Sequence, residues 1–292
     1  MATVITKIEK QKALNNLDKH AKEMRSRVFR HMLEKRSWKY KSFLRYLRLF
    51  KYIAFAPDRG AFLESYYTLM RYLDDMVDGD APVPVSYKEE SEYLYEKIRF
   101  SENPVNPKDD LDYLMLYCFE LAEKFGADFR LETKDILDSL LFDAKRRGKL
   151  IIFPHEELMH HFHLLDIRGT IRATLKVFRD DPDKYKILEP LGIACRYHFD
   201  LEDFEADIAA GYVNISREEC DSLGIRPEDL KNISSPKIKR WLRHRAEEGM
   251  TLLEEHHRRL PEGKFSLLAK AAFKQVYESP AKKVFKQILL ET

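Results

Sequence analysis

The chain has 292 residues, with 51 Lys and Arg against 49 Asp and Glu for a formal net charge of +2, and only 10 glycines. That length buries a sizeable core, and so slight an excess of charge argues against a nucleic-acid partner. Charges interrupt every apolar stretch well short of the roughly 18–20 residues of a spanning helix, and the start, MATVITKIEKQKALNN, lacks a secretory apolar segment, so a cytoplasmic protein is expected.

Apolar residues recur at i, i+3, i+4 and i+7 over 11–35, 40–55, 58–79, 86–100, 109–126, 132–147, 155–179, 186–211, 236–259 and 264–290. Turn chemistry separates these segments, as in APVPV, ENPVNPKDD, DDPDK, GIRPED and LPEGK. No alternating run of strand length, internal repeat, linker or low-complexity tract appears. The expected fold is all-α, a single domain over 1–292. Cys118, Cys195 and Cys220 are odd in number and form no CxxC pair, which predicts buried thiols rather than disulfides or a zinc knuckle.

The third segment ends in RYLDDMVDGD, four aspartates within seven positions. Tyr67, Arg71, Asp74 and Asp78 are spaced four, three and four apart and share a helix face, with Asp75 beside it. Aspartates there face the unfavourable end of the helix dipole, so a cation is called for. A second cluster, YHFDLEDFEADIAAGYVNI over 197–215, places Asp200, Asp203 and Asp207 at the same spacing, with Arg196 one turn earlier. Two carboxylate-bearing faces in a helical protein suit Mg²⁺ shared with substrate phosphates. Zinc is disfavoured: there is no HExxH, and His160, His161 and His163 lack spaced partners. His256 and His257 read as solvated helix-face residues. The KRRGK run, 145–149, reads as a solvated turn, a phosphate contact or a contact with anionic lipid.

The first run resembles the aspartate-rich motif of the squalene/phytoene synthases, Y-x-x-x-R-x-x-D-D-x-x-D, and LEDFEADIAAGYVNIS over 201–216 is similar to their LRDVGEDARRGRVYLP. KSF at 41–43, EELMHHFHLLDIRGTI at 156–171, HRAEEGMTLL at 244–253 and AAFKQVYES at 271–279 follow the family's order. The resemblance implies a helical bundle around an apolar cavity, with the aspartate motifs facing each other across its mouth. It implies head-to-head condensation of two isoprenyl diphosphates, farnesyl or geranylgeranyl, through a cyclopropylcarbinyl diphosphate. Asp74, Asp78, Asp203, Asp207, Tyr67 and Arg71 become the candidate catalytic residues, and Asp74, Asp75, Asp78, Asp203 and Asp207 the Mg²⁺ ligands. Lys41, Ser42, Phe43, Gly169, Arg172, Arg196, Phe199 and Asp200 become the candidate substrate contacts. NADPH enters if the reaction is squalene-type, and the nonpolar products imply a peripheral membrane contact.

The chain departs from the family pattern at several positions. Phe199 and Arg196 stand where the family has Asn and Gln, Tyr212 and Asn214 where it has Arg and Tyr, and Arg172 where it has the last glycine of G-x-V-G. An arginine at 172 would narrow the cavity or place a cation in it. Two alternatives therefore stay open: a single-substrate prenyl diphosphate hydrolase or transferase, and a non-catalytic module binding isoprenoid or protein.

Overall fold

The computed structural model describes residues 2–35, 44–45, 47–49, 52 and 57–292, with side chains of the first helix described over 12–34. Lys41, Ser42 and Phe43 lie outside the described residues, as does most of the predicted 40–55 helix. Among the described residues the chain is all-α, with thirteen α-helices and no strand. Two compact units, residues 1–137 and 138–292, divide it.

In the first unit, helices α1 (Ala2–Lys35), α2 (Pro57–Val77) and α3 (Glu90–Glu102) all pack on α4 (Asp110–Lys124). Helix α2 buries Phe62, Tyr66, Leu69, Leu73 and Met76, spaced three or four apart, so one stripe faces the core. Phe62 meets Phe129 at 4.2 Å and Phe125 edge-on at 5.5 Å. Asp109 caps α4 by accepting the Asp112 N–H at 2.9 Å. Lys97 is fully buried, and its ammonium lies 2.7 Å from Asp109 and 2.6 Å from Asp112. A charge so desolvated is tolerable only with such partners.

Helix α5 (Arg130–Arg146) contains the boundary between the units. In the second unit, α6 (His155–Phe162) runs unbroken through a π-helical segment, His163–Ile171, into α7 (Arg172–Val177). Then come α8 (Glu189–Glu202), α9 (Phe204–Ala210), α10 (Arg217–Leu223) and α11 (Pro236–Arg259). Helix α12 (Leu267–Ala272) continues through a second π segment, Phe273–Glu278, into α13 (Ser279–Glu291). Helices α8 and α11 form the central pair. Gly249 lets α13 approach α11, since a Cβ there would sit 2.3 Å from Phe285 Cζ. Gly192 lets α8 approach the π segment, where a Cβ would sit 2.7 Å from Ile167 Cγ1.

Three expectations need correction. The predicted 186–211 helix is two, because α8 ends at Glu202 and Asp203 adopts φ −105°, ψ 11° before α9 begins. Helix α10 was not foreseen. His256 is buried rather than solvated, and burial pushes its pKa down to about 4; only His257 is exposed, within 3.0 Å of Glu278. The three cysteines are free and buried, as expected.

One buried ion pair holds the second unit's core. Arg245 donates to both Glu219 oxygens at 2.7 and 2.9 Å, and its guanidinium lies 4.0 Å from the Tyr197 ring. Trp241 Nε1 donates to Glu219 Oε1 at 2.9 Å. Replacing Arg245 by Met leaves a carboxylate partly desolvated beside that indole, an expected loss of roughly 3 kcal/mol in urea unfolding. A Glu219→Gln/Arg245→Met double variant should lose less than the sum of the single changes. A loss below about 1 kcal/mol for Arg245→Met would show the pair to be a surface-type bridge.

Candidate active site

On α2, Arg71 donates to Asp74 Oδ2 at 2.8 Å and also pairs with Asp75. This guanidinium supplies the positive charge that the C-terminal end of the helix needs. The helix ends at Val77, yet the Asp78 N–H still donates to the Asp74 carbonyl at 2.9 Å, so Asp78 stays one turn above Asp74. Asp78 is exposed, Asp74 half-buried and Asp75 buried. Asp75 and Tyr72 line a cleft of about 520 Å³ with Met24, Val28 and Tyr93; Asp74 and Asp78 do not. The Tyr67 ring lies 6.5 Å from that of Phe29.

The second cluster is more deeply buried. Arg196 grips Asp200 through Nε at 2.8 Å and Nη2 at 2.7 Å, and lies 5.3 Å from the Phe162 ring. Burial would lower the Arg196 pKa, but Asp200, Asp166 and Asp207 more than offset it and hold the guanidinium above its ordinary value. Asp200 Oδ2 and Asp166 Oδ2 are buried and without a hydrogen-bond partner among the described residues. Burial, with Asp200 and Asp203 adding repulsion against the attraction of Arg196, pushes Asp207 up to about 7. Asn214 Nδ2 donates to Asp207 Oδ2 at 3.0 Å. Arg196 and, at Asp207, Arg146 offset this crowding, yet Asp207 is still held above its ordinary value, an environment that favours a further cation.

The loop after this motif is clamped on both sides. Gly148 N–H donates to the Ala210 carbonyl at 2.9 Å and Leu150 N–H to the Gly211 carbonyl at 3.1 Å. Arg146 Nη1 donates to the Val213 carbonyl at 3.2 Å and Arg245 Nη2 to that of Asn214 at 3.4 Å. Gly211 has φ +91°, and a Cβ there would lie 2.4 Å from Gly148 Cα. Ser216 and Glu219 form a capping box that starts α10.

Arg146 also donates to Asp143 Oδ1 at 2.7 Å. The same oxygen lies 3.3 Å from His161 Nε2, while His161 Nδ1 meets Ser139 Oγ at 2.9 Å. Burial works to raise the Asp143 pKa, yet His161 and Arg146 hold it well below the carboxylate range. Burial lowers that of His161 despite Asp143. Ser139 is fully buried, so this Ser–His–Asp chain braces α5 against α6 and offers no accessible nucleophile.

No protein-family model matches the chain, and no curated protein matches it by sequence. Among solved structures it is similar to squalene synthase HpnC from Alicyclobacillus acidocaldarius, with a TM-score of 0.65 at 14% identity over 96% of this chain and 98% of that one. It is also similar to a dehydrosqualene synthase in complex with ligand, with a TM-score of 0.58 at 15% identity over the same shares. The chain has the squalene/phytoene synthase fold.

Within a squalene/phytoene synthase fold the remaining candidates can be placed. Gly169 is buried in the π segment. Arg172 lies over the Tyr185 ring at 5.9 Å, with Nη2 3.9 Å from Asp183 on the turn Pro182–Ile187. Phe199 packs on His198 at 4.6 Å. The structure brings Arg196, Asp200 and Asp207 into one electrostatic group. No group of three or more His, Cys, Asp or Glu among the described residues is close enough to hold a metal by protein ligands alone. No described helix is long and apolar enough to cross a membrane.

Sequence reasoning missed Ser139, Asp143, His161 and Asp166 as members of the site's surroundings, and read Arg146 only as part of the KRRGK run. Ser139, Asp143 and Arg146 recur at helical spacing on α5, a polar stripe that could have been read as buried. Asp166 carried no such signal. Burial pushes it up to about 7, against the pull of Arg196. Folding thus raises its proton affinity, so stability falls as pH climbs from its unfolded value, 3.8, to about 7 and levels off above. Asp166→Asn should flatten the slope of stability in that window by up to about 1.4 kcal/mol per pH unit, with Asp207 supplying the remainder. An unchanged slope in chemical denaturation would show that Asp166 ionises freely in the folded chain.

Proposed function

We propose that the chain is a Mg²⁺-dependent prenyltransferase joining two isoprenyl diphosphates head-to-head. The observation that carries this reading is the buried, under-neutralised carboxylate group around Arg196, lying on the motif where the fold's relatives are synthases of squalene and dehydrosqualene. Asp203 and Asp207, with Asp74, Asp75 and Asp78 of the first motif, are the proposed ligands. Two carboxylates plus phosphate oxygens and water suffice for Mg²⁺, so a protein-only cluster of three is not required. Bound there, the metal would neutralise the departing diphosphate's charge.

The chain's own residues do the rest. Arg71 holds Asp74 in one rotamer through its hydrogen bond and is itself a phosphate donor when that bond is exchanged. Asn214 fixes the orientation of the Asp207 carboxylate. Lys41, Ser42, Phe43, Gly169, Arg172, Arg196, Phe199 and Asp200 are assigned to the substrates, with Tyr67 supplying an aromatic face for the allylic cation.

The Arg196–Asp200 pair favours one second reading. Its arginine stands where the family pattern has a neutral Gln, and a charged pair at that level suits capture of the cation by water, giving a prenyl alcohol from a single diphosphate.

The deciding experiment incubates the purified protein with Mg²⁺ and farnesyl or geranylgeranyl diphosphate, with and without NADPH, and identifies products by mass spectrometry. A dimeric hydrocarbon or cyclopropyl diphosphate is the expected outcome, and dependence on NADPH marks squalene-type chemistry. A prenyl alcohol alone supports the second reading; unchanged substrate with every prenyl length, together with no thermal shift from Mg²⁺ and diphosphate, leaves a binding module.

A further inference from the structure

The start of α12 presents an apolar face to solvent. Leu267 is 84% exposed and Leu268 44%, with Ala271 and the half-buried-to-exposed Val276 (39%) continuing the strip. These side chains are held out by a rigid base rather than left on a frayed end. Ser266 caps the helix, accepting the Ala269 N–H at 3.2 Å, and donates through N–H and Oγ to Asp180. Phe265, Ala269 and Phe273 are buried beneath.

Lysines flank the strip. Lys264 and Lys274 are exposed and Lys270 is half-buried, while the neighbouring turn adds Lys184 and Lys186. Its acids are partly committed: Asp180 is bound to Ser266 and lies 4.0 Å from Lys184, leaving Asp181, Asp183 and Glu262 as the exposed negative groups. Exposed leucines at a rigid helix end, ringed by lysines, match the makeup of a shallow interfacial anchor. Lysines near an anionic surface add attraction that salt screens.

We propose that this face, with Leu267 and Leu268 inserted and Lys264, Lys270 and Lys274 at the headgroups, docks the protein on anionic lipid bilayers. In the KRRGK run Arg146 is buried and Gly148 is bonded to the loop at Ala210, while Lys145 and Lys149 are exposed. The assignment stands on the surface alone and does not depend on the prenyltransferase reading.

The test is co-sedimentation of the full chain with vesicles of phosphatidylcholine mixed with phosphatidylglycerol, against phosphatidylcholine alone. The native chain should pellet with the anionic vesicles and release as salt is raised. Leu267→Asp/Leu268→Asp should weaken binding by roughly tenfold or more. Val85→Asp, on a still more exposed apolar residue elsewhere, should bind as the native chain does. Because all three positions are exposed, thermal melts should coincide. Absence of pelleting, equal pelleting of the leucine variant, or a native dimer that this variant converts to monomer would each overturn the proposal, the last by assigning the face to a second copy of the chain.

Discussion

Replacing Gly211 by alanine should cost the protein roughly 2–5 kcal/mol, a large share of a typical folding free energy. Two causes add. The left-handed backbone at φ +91° penalises any Cβ, and that Cβ would fall 2.4 Å from Gly148 Cα and N, which are backbone atoms that cannot swing aside. The alanine must therefore push apart the two hydrogen bonds joining 148–150 to 210–211. Gly224→Ala is the control: φ is +63°, but nothing lies within 4 Å of the new methyl group. It should cost only the conformational part, about 1–2 kcal/mol. Thermal and urea unfolding of both variants measure the difference, and equal losses would show that the crossing of the two glycines is not tight.

Asp203→Asn and Asp74→Asn should each lower turnover by roughly 10²–10³-fold while the fold survives. Asp203 sits at the junction of two helices, where Asp207 N–H donates to its carbonyl at 2.8 Å, a contact that asparagine keeps. Removing one negative charge from the crowded group should leave the melting temperature unchanged or raise it. A second readout separates metal binding from chemistry: the thermal stabilisation given by Mg²⁺ with inorganic diphosphate should vanish in Asp203→Asn. Full turnover in either variant would refute the assignment of these carboxylates.

Fold class was legible because apolar periodicity at 3.6 residues runs through the long segments, and the grouping of Arg196 with Asp200 was legible because both lie on one helix four residues apart. What escaped detection depends on distant contacts. His161 was read only as a histidine without spaced metal partners, yet it packs between Ser139 and Asp143, some twenty residues away, and no local pattern announces that. His256 was misjudged because the exposed His257 and the charges around it dominate the local composition. The break at Asp203 has no glycine or proline to mark it, only a residue of low helix propensity. Helix α10 did have a sign, the Ser216-x-x-Glu219 capping box, but seven residues are too few for periodicity to register. Asp74 and Asp75 are adjacent in sequence yet diverge in surroundings: only Asp75 borders the cleft beside α1.

The π segment at His163–Ile171 acts as an inserted spacer in an otherwise regular rod. Thr170 Oγ1 reaches back five residues to the Leu165 carbonyl at 2.5 Å, and a turn farther on Thr174 Oγ1 lies 3.5 Å from the Tyr277 hydroxyl, within a helix that carries the other π segment. The wide turns take up more residues than α-helical turns would, so side chains beyond Ile171 stand out of the phase that an unbroken α-helix would give them. Deleting a single residue between 163 and 171 should let the rod close to α-helical pitch while Thr174 stays on the side of Tyr277.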